Sequence, residues 1–120
     1  MSIYDGKSGI AIDESLNAIV KDADTNCTGV DSNGFSAVTH VVNVGAPGIT
    51  FSGTNKVEIE LEHSDDNSTF TDVTSNTDVV GGTVGTNGLW QTIDANGDCN
   101  AVYAIGYVGG KRYSRVVLNY

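Results

Sequence analysis

The chain has 120 residues, which suits one domain with a core large enough to need no disulfide or metal staple. Its 15 acidic and 6 basic residues leave a net charge of −9, which excludes a general nucleic-acid binder and a protein held on anionic membrane, since both need clustered Lys and Arg. An apolar fraction of 39%, 15 Gly and a single Pro (Pro47) belong to a chain of many short strands joined by tight turns rich in Gly, Asn, Asp, Ser and Thr.

In chain order, Met1 to Lys7 reads as an extended arm, with the arm bounded at residues 1–12 and the body at 13–120. Asp13 to Val20 is the one stretch with helical spacing, through Leu16, Ile19 and Val20. Lys21 to Gly34 is a polar loop ending in the turn dipeptide Asn33-Gly34. Phe35 to Val44 is β-branched and aromatic and predicts a strand, ended by Gly45-Ala46-Pro47-Gly48 because Pro cannot donate to a ladder. A short Ile49–Phe51 segment follows.

Lys56 to Val73 carries the clearest signal. Lys56, Glu58, Glu60 and Glu62 alternate with Val57, Ile59, Leu61 and His63, a two-residue period that puts charge on one sheet face and apolar groups on the other. Ser64-Asp65-Asp66-Asn67-Ser68 reverses the chain into a second strand. The reading is a half-exposed hairpin whose charged face is a candidate contact surface.

Ser75 to Gly88 reads as a long surface loop with Val79, Val80 and Val84 as its core contacts. Leu89 to Ile93 predicts a short strand and Asp94 to Asn100 a turn. Ala101 to Val108 and Arg112 to Asn119 predict a hairpin closed by Gly109-Gly110, with φ > 0 open to both glycines. Neither face of Ala101–Val108 is charged, so that strand is expected to be central and covered on both sides. The fold class that follows is all-β: a single-domain β-sandwich or jelly roll with a short N-terminal arm and at most one short helix.

The chemistry-bearing residues form no reactive constellation. Asp22, Asp24 and Asn26 resemble the start of a calcium loop, but Cys27 stands where Gly is needed and Asn33 where a bidentate Glu is needed; Asp94, Asn96 and Asp98 fail in the same way. His40 and His63 lie on predicted strands, and His63 shares the parity of Val57, Ile59 and Leu61, as a partly buried, hydrogen-bonded residue would. With Cys27 and Cys99 they lack the short paired spacing of a zinc site. The two cysteines either pair across the fold or are both free. The absence of a secretory leader favours synthesis in a reducing cytoplasm with free thiols, and no apolar run is long enough to span a membrane. Gly81-Gly82-Thr83-Val84-Gly85-Thr86 lacks the Lys and the following helix of a phosphate loop. No nucleophile is paired with a base, and Asp65 and Asp66 read as a solvated turn. The chain is therefore expected not to be an enzyme and to use no cofactor.

Charge is unevenly placed: Lys111, Arg112 and Arg115 are half of all basic residues. A basic end on an acidic body could seat on an acidic partner.

The pattern His63-Ser-Asp-Asp-Asn-Ser-Thr-Phe-Thr-Asp-Val73, with Tyr107-Val-Gly-Gly-Lys-Arg-Tyr-Ser-Arg-Val-Val-Leu118 and Gly29-Val-Asp-Ser-Asn-Gly-Phe35, resembles small head proteins of tailed bacteriophages, including decoration (cement) proteins that dock outside the capsid shell. Asn67 departs from the Gly more usual in such turns, although Asn also tolerates φ > 0. The resemblance implies a structural virion protein on the capsid exterior, synthesised in the host cytoplasm. Its implied partner is the major capsid protein, and it would act as a homo-oligomer, by preference a trimer. The candidate contacts are Ile3, Tyr4, Lys7, Lys111, Arg112 and Arg115. The same segments also resemble discoidin-type carbohydrate-binding sandwiches, with Phe70 in place of a Trp and Arg112-Tyr113-Ser114-Arg115 matching a terminal strand. That resemblance implies a host-surface glycan as ligand; the candidate stacking residues are Trp90, Tyr103, Tyr107 and Tyr113, most of which fall on strands expected to be buried. A minor head–tail or tail component is a third expectation.

Overall fold

The computed structural model describes residues 10–120. Among the described residues nine strands run in chain order: β1 (Thr25–Asn26), β2 (Val30–Asp31), β3 (Val38–Val44), β4 (Val57–Ser64), β5 (Thr71–Asp72), β6 (Val79–Val80), β7 (Leu89–Ile93), β8 (Ala101–Tyr107) and β9 (Tyr113–Asn119). They form two antiparallel sheets. In the larger, β9 and β4 pair over seven residues, from Glu58 opposite Asn119 to Ser64 opposite Tyr113. β1 and β2 flank β9, while β5 and β7 flank β4. The smaller sheet has the order β3-β8-β6. This is the all-β sandwich that the alternation predicts.

The core lies between the sheets in two clusters. Leu61, Val73, Val79, Val84, Ile105 and Tyr107 form one, and Cys27, Ile59, Ile93, Cys99 and Val116 the other, with Trp90 packed against both. The parity of β4 explains the first partition, because Ile59 and Leu61 face inward and are 1% and 0% exposed. Val79 and Val84 are buried as expected, whereas Val80 points outward. The segment Ser75 to Gly88 is not a plain loop. Two 3₁₀ turns and β6 organise it, and Asn76 Oδ1 accepts the Val84 N–H at 2.8 Å.

Four expectations are corrected. First, Asp13–Val20 forms no helix. Eight residues cannot repay helix nucleation without a packed face, and only Leu16 touches the core while Ile19 and Val20 stay exposed. Second, β8 and β9 are not a hairpin. β8 pairs with β3 and β6, and β9 with β4, β1 and β2, so Val108–Arg112 crosses from one sheet to the other. Neither Gly109 nor Gly110 takes a positive φ. Gly109 is needed for another reason: a Cβ there would lie 2.5 Å from the Tyr107 hydroxyl, which folds beneath the crossing and accepts the Lys111 N–H at 3.2 Å.

Third, β4 is an interior strand, and its charged face is not free. Glu60 is buried, and Glu58, Glu60 and Glu62 are engaged by Lys56, Asn119 and Arg115. Fourth, β8 is central in its sheet but not covered on both sides, since Val102 is 63% exposed and Ala104 is exposed. The predicted strand at Phe35 begins at Val38, and Phe35 itself is exposed.

Candidate functional site

Ile3, Tyr4 and Lys7 lie outside the described residues. The structure brings Lys111, Arg112 and Arg115 to one end of the larger sheet, but each is paired within the chain. Arg112 grips Asp31 with two bonds of 2.8 Å, from Nε and an Nη, and its guanidinium lies 5.2 Å from the Tyr113 ring centre. That pairing holds the Asp31 carboxyl down at about 2, well below the usual carboxylate range, and raises Arg112. Lys111 Nζ reaches Asp65 at 3.1 Å. Arg115 binds Glu62 at 2.6–2.7 Å across the β4–β9 ladder, with its guanidinium 3.9 Å from the Phe70 ring centre. The expected basic patch is therefore largely neutralised by acidic neighbours, and it ties the Lys56–Val73 segment and β2 to β9.

Glu62 and Arg115 are the least exposed of these ion pairs, at 17% and 18%. Removing one partner strands the other, so Arg115→Ala is expected to cost about 2 kcal/mol and Glu62→Gln about 1 kcal/mol, read from urea unfolding midpoints. Equal stability of Arg115→Ala and the parent chain would show that the pair only decorates the sheet.

The acidic turn is built rather than merely solvated. Asp66 Oδ1 accepts from the Ser68 and Thr69 N–H groups at 2.9 and 2.8 Å and from the Ser64 hydroxyl at 2.9 Å. Those bonds hold its carboxyl down at about 2. Asn67 takes the positive φ (58°) usually supplied by Gly. Asp24 accepts the Tyr120 N–H, and Asp98 caps the Asp94 and Ala95 N–H groups, so both calcium-like loops use carboxylates structurally. Among the described residues no three His, Cys, Asp or Glu side chains gather as metal ligands.

Both histidines join the two sheets. His40 Nε2 of β3 is 2.8 Å from Ser114 Oγ of β9, in a buried position that pushes its pKa down to about 4. His63 Nδ1 of β4 is 2.8 Å from the Tyr107 hydroxyl of β8, and burial, helped by the Lys111 charge, lowers its pKa as well. Cys27 and Cys99 are both free and buried in the same cluster, and burial pushes the Cys27 thiol up, away from reactive thiolate. Of the four aromatics named as candidates to stack on sugar, Tyr107 is buried, Tyr103 donates to the Asp98 carbonyl, Tyr113 carries Arg112 and Trp90 packs on the core.

Among the described residues two surfaces expose apolar groups. Residues 10–24 lie outside any strand or helix, with Ile10, Ile12, Ile19 and Val20 exposed at 61%, 89%, 64% and 91%. They border an open groove floored by Val42, Val44, Phe51 and Leu118. The second is the smaller sheet. All three of its strands come from stretches without Asp, Glu, Lys or Arg: Ser32–Asn55, Val79–Ile93 and Cys99–Gly110. Its outer face presents Val41, Val80, Val102 and Ala104. Inspection of charge along the chain could have found this surface; the separation of strand faces alone could not.

Fold and surfaces together define an all-β, two-sheet domain in which ion pairs and buried histidines tie the strands together and large aliphatic side chains lie exposed. Comparison with models of protein families, with curated proteins and with solved structures finds no match.

Proposed function

We propose that this protein is a structural component of a tailed-phage particle that decorates and stabilises the capsid by docking on the outer surface of the major capsid protein shell. The observation that carries this reading is the exposed apolar segment: four large aliphatic side chains on residues 10–20, without regular structure, beside an acidic sandwich. Aliphatic groups held in water gain free energy when a partner covers them, roughly 25 cal/mol per Å². A segment anchored only through Leu16 and Ser15 can lay its other side chains across a seam between shell subunits, while the sandwich stays outside. The resemblance of the His63–Val73 and Tyr107–Leu118 segments to head proteins supplies the particle. The reading assigns no reaction and no cofactor, and homo-oligomers would dock on the shell.

A protein that binds assembled shell and not free coat subunits stabilises the shell by mass action. Purified protein is expected to co-sediment with capsids that lack it, saturably and at high copy number, and loaded capsids should retain DNA at temperatures that empty unloaded ones. Replacing Ile10, Ile12, Ile19 and Val20 by Ser should abolish co-sedimentation while leaving the circular dichroism of the sandwich unchanged. Saturation at a handful of copies would instead indicate a tail or neck component, and no co-sedimentation would sink the proposal.

A further inference from the structure

We propose that two copies of this chain pair edge to edge through β3, antiparallel about a two-fold axis at Val41, joining their smaller sheets into one continuous six-stranded sheet. The proposal does not rest on the capsid reading.

β3 pairs with β8 along one side, residue for residue from Val38 opposite Tyr107 to Val44 opposite Ala101. Among the described residues its other side receives no backbone hydrogen bond from any strand or loop. An open strand edge is a row of unpaired donors and acceptors, and proteins commonly blunt it with Lys, Pro, a bulge or a very short strand. The other edges here are protected in this way: β1, β2, β5 and β6 have two residues each, and β7 has five residues and a register shift against β4. β3 has seven residues, no charge, no Pro and no bulge.

The strand also matches itself. With Val41 opposite Val41, Thr39 meets Asn43, His40 meets Val42 and Val38 meets Val44. Every pair has the same parity, so backbone groups that point out of one edge meet those that point out of the other. Core-facing side chains likewise meet core-facing side chains. Two exposed β-branched residues and two small polar residues become cross-strand neighbours, and no charge is opposed by another.

Charge selects the second copy as occupant. Two chains of net charge −9 repel wherever their acidic surfaces meet. The strands of the smaller sheet carry no charge, so no like charges are opposed along the paired strands themselves, and the acidic Asp13, Glu14 and Asp22 that line the groove beside β3 are accompanied by Lys21. An isologous contact of this kind closes at two copies. It is not the trimer that the resemblance implies.

The test uses the full chain, with no capsid present. Sedimentation equilibrium should give twice the 12.5 kDa chain mass for the parent protein. Val41→Lys, at a side chain 62% exposed in the single chain, should halve that mass with an unchanged circular dichroism spectrum, because it sets two ammonium groups together on the axis. Register is read by cross-linking. Residues directly opposite in an antiparallel pair have Cα atoms about 4.5–5.5 Å apart, within disulfide range. Under mild oxidation Val41→Cys should become a covalent dimer, whereas Val102→Cys, equally exposed but one strand inward, should not. A monomeric parent, a trimer insensitive to Val41→Lys, or equal cross-linking at both positions would overturn the proposal. None of these results would bear on capsid docking.

Discussion

Between pH 6.5 and pH 4 the domain is expected to lose about 3 kcal/mol of stability through His40 alone, seen as a falling urea midpoint. His40 is buried beside Ser114, and its pKa drops from 6.5 to about 4 on folding. The folded chain therefore holds fewer protons on this ring than the unfolded chain across that window. Stability is complete above the unfolded value, declines as pH falls, and stops declining once the folded ring also protonates. His63 has the same sign, since burial lowers its pKa too. Glu60 acts in the opposite direction: burial raises its pKa, so the penalty for keeping it charged is relieved by acid. Asp31 and Asp66, both held down at about 2, withdraw their support only at still lower pH. Replacing His40 by Gln keeps a hydrogen-bonding group near Ser114 and removes the proton. The midpoint should then fall far less from pH 6.5 to pH 4, with only the opposed His63 and Glu60 contributions left. A variant as pH-sensitive as the parent would show that the buried ring is not the cause.

A comparably large effect is expected at Gly88. This residue has φ +71° and sits against the backbone of Leu61, so an added Cβ would overlap the Leu61 carbonyl oxygen. Leu61 lies on the interior strand β4 with no exposed surface and cannot move aside. Left-handed backbone costs an Ala about 1–2 kcal/mol and overpacking a further ~1–3 kcal/mol, so Gly88→Ala should cost about 4 kcal/mol. Gly34 separates the two contributions. It has φ +88° with open space where a Cβ would go, so Gly34→Ala should cost only the backbone part, about 1–2 kcal/mol. Similar urea midpoints for the two variants would mean that the Gly88–Leu61 approach carries no energetic weight.

Both effects arise where distant segments meet, and there the sequence was hardest to read. The strands at Val57–Ser64, Leu89–Ile93, Ala101–Tyr107 and Tyr113–Asn119 were legible because alternation and β-branched content are local properties. The Asn33-Gly34 and Ser64–Ser68 turns were legible because short polar residues and Gly act on their own backbone. The hairpin at Gly109-Gly110 was misread because two adjacent strands joined by two glycines fit either a tight turn or a crossing between sheets. What separates these outcomes is where Tyr107 and His63 bury their polar atoms, 44 residues apart in the chain.

The candidate surfaces divide in the same way. The basic cluster at Lys111–Arg115 stood out in the sequence, yet its charges are taken up by Asp65, Asp31 and Glu62, between 46 and 81 residues away. The charged face of β4 looked free because its partner strand β9 is far away in the chain, with Ser64 opposite Tyr113 and Glu58 opposite Asn119. The neutral sheet was present in the sequence as three separate uncharged stretches, and nothing local marked them as neighbours.

By itself, then, the sequence determined the class of fold, most strand positions and the turn chemistry, since these follow from backbone preference and a two-residue period. The tertiary structure decided which strands pair, which charges cancel and which apolar groups are left for a partner. Those outcomes depend on contacts between residues far apart in the chain, where burial of one side chain sets the environment of another.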